Sequence, residues 1–162
     1  MSIAQQLLPE FDYETANTRK VLEQIPDDKI EWQAGPSFKS IGWNASHLAE
    51  IANWTAGVLL QDAWDARPEG GEPYHTPVLT TRAAILARFD EGVASGRRAL
   101  EQIGDDAWPQ PWSLLDFKQP LFTMPRAAVY RTFIINHLIH HRAHLIVYLR
   151  LNGINPPPMY GV

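Results

Sequence analysis

A histidine-rich segment, residues 136–145, is the part of this sequence best equipped for chemistry. Four of the six histidines of the chain fall in it, inside a run that otherwise has the pattern of a buried helix. Imidazole is the commonest metal ligand that proteins provide. His137 and His141 are four residues apart, so a helix places them on adjacent turns of one face. Two neutral imidazoles placed in this way can share one cation, which then requires a third ligand from elsewhere in the chain.

The hydropathy pattern predicts four long helices that position this segment. They are expected from Ser2 to about Ile25, from Ser37 or Ser40 to about Trp64, from Thr80 or Thr81 to about Ile103, and from Pro125 to Leu151. Their number and lengths indicate an all-α fold, an up-down four-helix bundle. The chain length of 162 residues suits one domain, so we expect a single domain over residues 1–162.

A long segment before the last helix, residues 104–125, breaks the helical pattern. It contains four prolines and two of the six tryptophans, Trp108 and Trp112. The aromatic residues indicate a loop that packs against the core, and loops of this length often carry function. The pattern leaves open a short pair of strands within it.

The third ligand that the pattern offers is His47, in the second predicted helix. On a helical wheel it lies on the apolar face that should point into the bundle. In helical bundles, metal sites are built from side chains of facing helices. We therefore predict a divalent metal site formed by His47, His137 and His141, with open positions of the kind found at catalytic metals. Three imidazoles suit zinc, nickel, iron or cobalt, and they leave the full charge of the ion available to an anionic ligand.

Several polar residues near this site have alternative interpretations. A shifted pair, His140 with His144, could replace His137 with His141, although a supporting or packing role is the preferred interpretation of these two residues. Glu50 or Asn44 could accept a hydrogen bond from a ligating imidazole. His75 lies in a loop, residues 66–77, and is expected to be exposed.

Other side chains are expected around the site or pointing away from it. Arg142 lies about 140° from His137 on the helix, so it should point away from the metal, to a carboxylate or to a dimer partner. Tyr160 could reach the mouth of a pocket. The aromatic residues that could form the pocket walls are Trp54, Trp108, Trp112 and Tyr148.

Composition excludes several classes of function. The net charge is −4 and no basic run occurs, which argues against nucleic-acid binding. The chain has no cysteine, so neither a disulfide nor a cysteine nucleophile can come from it. No signal peptide and no apolar run of about 20 residues is apparent, so we expect a cytoplasmic protein without a membrane span.

The last predicted helix is apolar on two opposite sides. One side should face the core, and the other, with Ile135, Ile139, Ile146 and Leu149, could face a second copy of the chain. This pattern motivates the prediction of a homodimer.

Three stretches resemble the DinB-like family, which is related to the metal-dependent thiol transferases and the mycothiol-dependent maleylpyruvate isomerases. They are residues 40–49 (SIGWNASHLA), residues 137–142 (HLIHHR) and residues 148–157 (YLRLNGINPP). The resemblance implies a four-helix bundle, often dimeric, with a divalent metal on three histidines, which by position are His47, His137 and His141. His144 departs from the family pattern, where relatives tend to have glutamine.

Two classes of function are compatible with these observations. The first is a metal-dependent enzyme that transfers a low-molecular-weight thiol to a small electrophilic substrate, with the metal lowering the pKa of the thiol. The second is a non-catalytic stress-response protein that binds metal or a small ligand. Metal-dependent hydrolysis uses the same ligands and cannot be separated from the first by sequence.

Overall fold

Four long helices form most of the computed structural model, which describes residues 1–161. They are α1 (Ile3–Leu22), α2 (Ile41–Leu60), α3 (Arg82–Gln102) and α4, which runs through Arg126–Val129, a π-helical stretch Tyr130–Asn136 and His137–Leu151. Two short 3₁₀ turns, Asp27–Lys29 and Asp105–Ala107, lie in the connections. The second helix was predicted to extend to about Trp64, but α2 ends at Leu60 and Trp64 lies in a strand.

Hydroxyl side chains define where the first three helices begin. The Ser2 hydroxyl accepts from the backbone N–H of Gln5, whose side chain accepts in return from the Ser2 N–H. The Ser40 and Thr81 hydroxyls accept from the backbone N–H groups of Trp43 and Ala84 and so cap α2 and α3, at residues where the sequence predicted the helices to start. Each cap satisfies an N–H group that the helix itself cannot bond.

The helices surround one apolar core in the order α1, α3, α2, α4, and each contacts the next. Fully buried side chains come from all four, among them Phe11, Leu48, Phe89 and Leu145. This arrangement places α2 against both α3 and α4. Histidines on α2 and α4 can therefore meet, as the sequence predicted.

Gly92 of α3 permits the close contact between α3 and α2. A Cβ atom there would lie 2.6 Å from Asn53 Nδ2 and 2.7 Å from the backbone nitrogen of the same residue. We expect Gly92→Ala to lower the free energy of unfolding by about 1–3 kcal/mol, because the backbones of α2 and α3 must move apart to make room for the added methyl group. Gly57→Ala is the matched control, since its Cβ would meet only Gln61 Oε1 at 3.8 Å, and it should stabilise by about 0.5–1 kcal/mol. Urea unfolding of both variants checks this, and equal stabilities would contradict it.

The predicted all-α fold is wrong, because the chain also forms a three-stranded mixed sheet. The strands are β1 (Ala63–Asp65), β2 (Pro111–Asp116) and β3 (Gln119–Pro125). β2 pairs with β3 as an antiparallel hairpin, and β1 pairs with β2 in parallel. The hairpin is the strand pair that the sequence left open within residues 104–125. The parallel partner β1 was not anticipated.

Alternating apolar residues explain why the hairpin forms. Trp112 pairs with Met124, and Leu114 pairs with Phe122, and all four pack against the core. The turn between the strands has no glycine, yet Phe117 and Lys118 both have positive φ angles, 50° and 62°. A two-residue hairpin turn requires this conformation.

Contacts from β1 hold the turn in place. Asp65 Oδ2 accepts a hydrogen bond from the Lys118 N–H at 2.8 Å. Arg67, just after β1, forms an ion pair with Asp116 and lies over the Phe117 ring. These tertiary contacts offset the conformational cost of two non-glycine residues, about 1–2 kcal/mol each. No helix within residues 1–161 has the length and apolar character needed to cross a membrane.

Candidate metal centre

Three histidine side chains from two helices meet at one point. His47 comes from α2, and His137 and His141 come from α4. The Nε2 atom of His137 lies 3.2 Å from His47 Nε2 and 3.1 Å from His141 Nε2. One ligand atom from each of the three lies within 4.8 Å of the other two. The structure therefore brings together the three residues that the sequence predicted as ligands.

These separations fit a single divalent cation. Zinc–imidazole bonds of about 2.0–2.1 Å in tetrahedral geometry place two ligand nitrogens about 3.3 Å apart. The two short Nε2 separations are close to this value. His47 is buried and the other two are half-buried, so an ion bound here could be reached from solvent.

Hydrogen bonds at Nδ1 decide which nitrogen carries the proton. Asn44 donates its amide N–H to the Ser40 carbonyl at 2.9 Å, so its Oδ1 atom faces His141 Nδ1 at 3.1 Å. That oxygen can only accept, which places the imidazole proton on Nδ1 and a lone pair on Nε2 of His141. His47 Nδ1 lies 2.9 Å from the Thr76 hydroxyl, which can accept in the same way. Lone pairs then converge on one point, which is the arrangement that a cation requires.

Burial keeps the imidazoles neutral. It lowers the pKa of His47 to about 4, with a further contribution from the neighbouring His137. Burial and then the surrounding histidines lower the pKa of His141 to about 3. The pKa of His137 is also lowered by burial, and a hydrogen bond to the backbone of Phe133 opposes part of that change. At neutral pH, a metal ion therefore does not have to displace protons from these rings.

Two tryptophans border the histidine cluster. The Trp43 ring stacks on His47, with centroids 4.7 Å apart and an angle of 20° between the planes. Trp54 meets His47 edge-on at 5.3 Å and also lies 5.9 Å from His137. The group that could hold an ion, within the described residues, contains these histidines and no carboxylate. An ion bound there would keep its full charge, which favours an anion as an additional ligand.

The remaining histidines lie outside the cluster. His140 and His144 are exposed and pack against each other, with ring centroids 4.3 Å apart. Their ring centroids lie 5.0 and 5.8 Å from that of His141, but neither residue belongs to the group of converging ligand atoms, so the alternative pairing of these two receives no support. His75 is exposed in the loop, where the sequence placed it.

Of the two proposed hydrogen-bond partners, Asn44 contacts a histidine and Glu50 is engaged elsewhere. Glu50 is buried and accepts from Arg88 Nε at 2.7 Å and from the Tyr74 hydroxyl at 3.4 Å. Burial, with Glu50 nearby, raises the pKa of Tyr74 to about 12, so its hydroxyl stays protonated and can donate. Glu50 thus anchors the loop that carries Thr76.

Arg142 points away from the cluster, as predicted, and its partner is a carboxylate. It is buried and bonded to Glu14 of α1. Tyr160 was expected near a pocket mouth, but its hydroxyl donates to the same Glu14 carboxylate at 2.8 Å. Both residues therefore join α4 and the C-terminal segment to α1 instead of lining the metal centre.

Thr76 is a site residue that the sequence did not predict, since it lies in a loop 29 positions from His47. We expect Thr76→Val to weaken metal affinity about 10–100-fold, because the His47 ring loses the group that orients it. Competition with a chromogenic chelator measures the affinity. Thr80→Val, an exposed change on the same segment, is the control. Equal affinities for the two variants would show that Thr76 does not orient His47.

The π-helical stretch of α4 was also missed. It ends at Asn136, directly before His137. A π turn contains more residues than an α turn. Side chains before the π-helical stretch therefore point in a different direction from the one that uniform α-helical spacing would give them relative to the side chains after it. With uniform helical spacing, Tyr130, Ile134 and His144 would share one stripe of the helix, yet the first two are buried and His144 is exposed.

Comparison with known proteins identifies related chains. The model of the DinB family matches residues 1–162. The crystal structure of a DinB-like protein from Bacillus cereus ATCC 10987 is similar, with a TM-score of 0.73 and 24% sequence identity. The match covers 96% of this chain and 97% of the other, and at that identity it shows a shared fold. No curated protein matches the chain.

Proposed function

Since the chain belongs to the DinB family, we propose that it is a divalent-metal-dependent protein whose ion is held by His47, His137 and His141. The family membership confirms the resemblance noted in the sequence. The observation that carries the proposal is the convergence of three Nε2 atoms, two of them 3.1 and 3.2 Å from the third. Two of the rings also have a polar partner at Nδ1.

The ligand set favours a particular group of metals. Neutral imidazoles suit zinc, nickel or iron, whereas magnesium and calcium prefer oxygen ligands. Structural zinc sites are closed by four protein ligands, and this cluster supplies three. The proposed ion therefore keeps at least one position for a reactant.

We further propose that the reaction transfers a low-molecular-weight thiol to an electrophilic carbon of a small-molecule substrate. The chain has no cysteine, so the sulfur must come from a thiol cosubstrate. A divalent cation held by His47, His137 and His141 would lower the pKa of a thiol bound beside it and so would supply a nucleophile at neutral pH. In the overall reaction the S–H bond breaks and an S–C bond forms. The proton is taken up by the adjacent carbon of an activated double bond, or leaves with the displaced group.

The side chains of this protein contribute orientation and exclusion of water. Asn44 and Thr76 fix the rings of His141 and His47 with Nε2 toward the shared point. Trp43 and Trp54 pack against His47 from two directions and keep water from these sides of the cluster.

An assay of thiol consumption tests this proposal. The purified protein is loaded with zinc, nickel or iron(II), and the loss of a thiol such as glutathione or cysteine is followed with a panel of activated alkenes and alkyl halides. We expect turnover that requires both metal and His141 and that persists in His140→Ala, a neighbouring exposed histidine. Tight metal binding without turnover on any pair would contradict the catalytic proposal and favour a metal-binding protein.

The predicted homodimer needs a revised interface. Ile135 and Leu149, two of the residues expected at that interface, are buried in the core of the chain itself. α4 instead leaves Val147 and Leu151 exposed, four residues apart, at 51% and 63%. We propose that these two residues lie at the dimer contact. Sedimentation at micromolar concentration should give a dimer that Val147→Glu converts to monomer, and a monomeric wild-type protein would refute it.

A further inference from the structure

An apolar cavity lies next to the histidine cluster, and the proposed metal does not account for it. Its volume is about 360 Å³, within the range of about 300–1,000 Å³ that is typical of small-molecule sites. Four of its lining residues are aromatic: Trp54, Trp64, Trp112 and Phe133. It is bounded by α2, the sheet and the π-helical stretch of α4.

Two aromatic side chains connect the cavity to the metal centre. Trp54 lines the cavity and lies 5.3 Å from His47 and 5.9 Å from His137 between ring centroids. Phe133 also lines it and lies 6.0 Å from His137. A molecule in the cavity would therefore be separated from the histidine cluster by about the width of one aromatic ring.

The lining decides the chemical class of the occupant. Of the lining residues in the described part of the chain, none carries a charge, so a charged group would lose its hydration without a partner. The aromatic walls offer ring faces and edges, which favour a planar aromatic ligand. An apolar cavity of about 150 Å³ already accommodates benzene, so this cavity has room for two fused rings. Asn53 donates its amide hydrogens to the Ala49 and Arg88 carbonyls, which leaves its oxygen able to accept one hydrogen bond.

We propose that this cavity binds a neutral aromatic group of one or two rings. Its assignment as the apolar part of the substrate rests on the proposed function. A substrate with its aromatic rings in the cavity and an electrophilic carbon a few bonds away would extend past Trp54 toward the metal.

Gly57 provides a variant that fills the cavity while keeping the helix. It lines the cavity, and a Cβ atom there would meet only Gln61 Oε1, another lining residue, at 3.8 Å. Leucine is a better helix former than glycine, so Gly57→Leu should fold. Gly57→Ala adds a single methyl group and serves as the matched control.

Titration calorimetry with 2-naphthol, a neutral two-ring alcohol, tests the inference on protein freed of metal by chelation. We expect binding to the wild-type protein, binding within about 3-fold of it for Gly57→Ala, and at least 10-fold weaker binding for Gly57→Leu, since filled volume excludes the ligand. The anionic analogue 2-naphthoate should bind at least 10-fold more weakly than 2-naphthol, because its charge would be buried unpaired.

Absence of 2-naphthol binding to the wild-type protein would overturn the inference, as would equal binding to Gly57→Leu. Metal content, measured on the same preparations before the chelation step, distinguishes this outcome from failure of the proposed function. A protein that binds metal but not 2-naphthol refutes the cavity assignment alone. A protein that binds 2-naphthol but no metal supports the ligand class and refutes the proposed function.

Discussion

His141→Ala should purify with essentially no divalent metal and should bind added zinc or nickel at least about 100-fold more weakly than the wild-type protein. The loss of a hydrogen-bond partner behind a ligand already costs about 10–100-fold, and here a ligand is itself removed. The two remaining Nε2 atoms, of His47 and His137, are 3.2 Å apart and cannot enclose an ion. Elemental analysis after purification gives the occupancy, and chelator competition gives the affinity.

His140→Ala is the control for this experiment. It removes an imidazole from the adjacent position of the same helix, and that side chain is exposed and outside the cluster. Its metal content should equal that of the wild-type protein. Added metal should also raise the melting temperature of the wild-type protein and of His140→Ala but not of His141→Ala, because only a bound ligand stabilises the folded state. Full occupancy in His141→Ala would refute the assignment of the three ligands.

The histidine cluster could be predicted because its signal is local. His137 and His141 are one turn apart on a helix, and His47 lies on the apolar face of another. Each of these features follows from helical periodicity alone. The packing of α2 against α4, which the number of helices does not by itself determine, then brings the three rings together.

The sheet could not be predicted because its signals are weak or distant. Prolines at positions 111, 120 and 125 lie at strand ends or on an edge strand, where proline is tolerated. In a sequence, however, three prolines this close together indicate a loop. The turn at Phe117 and Lys118 lacks the glycine or asparagine that usually marks a hairpin. β1 is only three residues long, and its partner β2 follows after α3.

The role of Thr76 could not be predicted either, because it depends on a contact between residues distant in sequence. Nothing in its local sequence distinguishes it from other polar loop residues, and its role arises only when the loop folds back on α2. Three contacts fasten the loop there: Tyr74 to Glu50, Thr76 to His47, and the Leu79 N–H to Ser46 Oγ at 2.8 Å. A partner that acts through tertiary contact carries no periodic signal.

A buried ion pair between Arg142 and Glu14 holds α4 to α1. Their side chains are 2% and 8% exposed, and Arg142 Nη2 lies 2.6 Å from Glu14 Oε2. Arg142 Nη1 also donates to the Glu14 backbone carbonyl at 2.9 Å, and the Tyr160 hydroxyl donates to the carboxylate. Because Arg142 directly follows His141, this contact also fixes the part of α4 that carries the metal ligands.

Glu14→Ala should lower the free energy of unfolding by about 3–5 kcal/mol, since it leaves the Arg142 guanidinium buried without its partner charge. Asp12→Ala, two residues earlier on α1, is the control. It breaks an ion pair with Arg97 in which both side chains are 44% exposed, and such a change should cost less than about 1 kcal/mol. Urea unfolding monitored by tryptophan fluorescence measures both values. A cost for Glu14→Ala no greater than that for Asp12→Ala would contradict the prediction.

The double variant Glu14→Leu/Arg142→Met separates the effect of charge from that of packing. It replaces both charged residues by shorter apolar ones, so no buried charge is left unpaired. Such replacements are often neutral or stabilising. We therefore expect the double variant to recover most of the stability that Glu14→Ala loses, with a smaller residual loss because the Tyr160 hydroxyl no longer has an acceptor. If the double variant is as unstable as Glu14→Ala, the loss comes from packing between α1 and α4, and the unpaired guanidinium is not its cause.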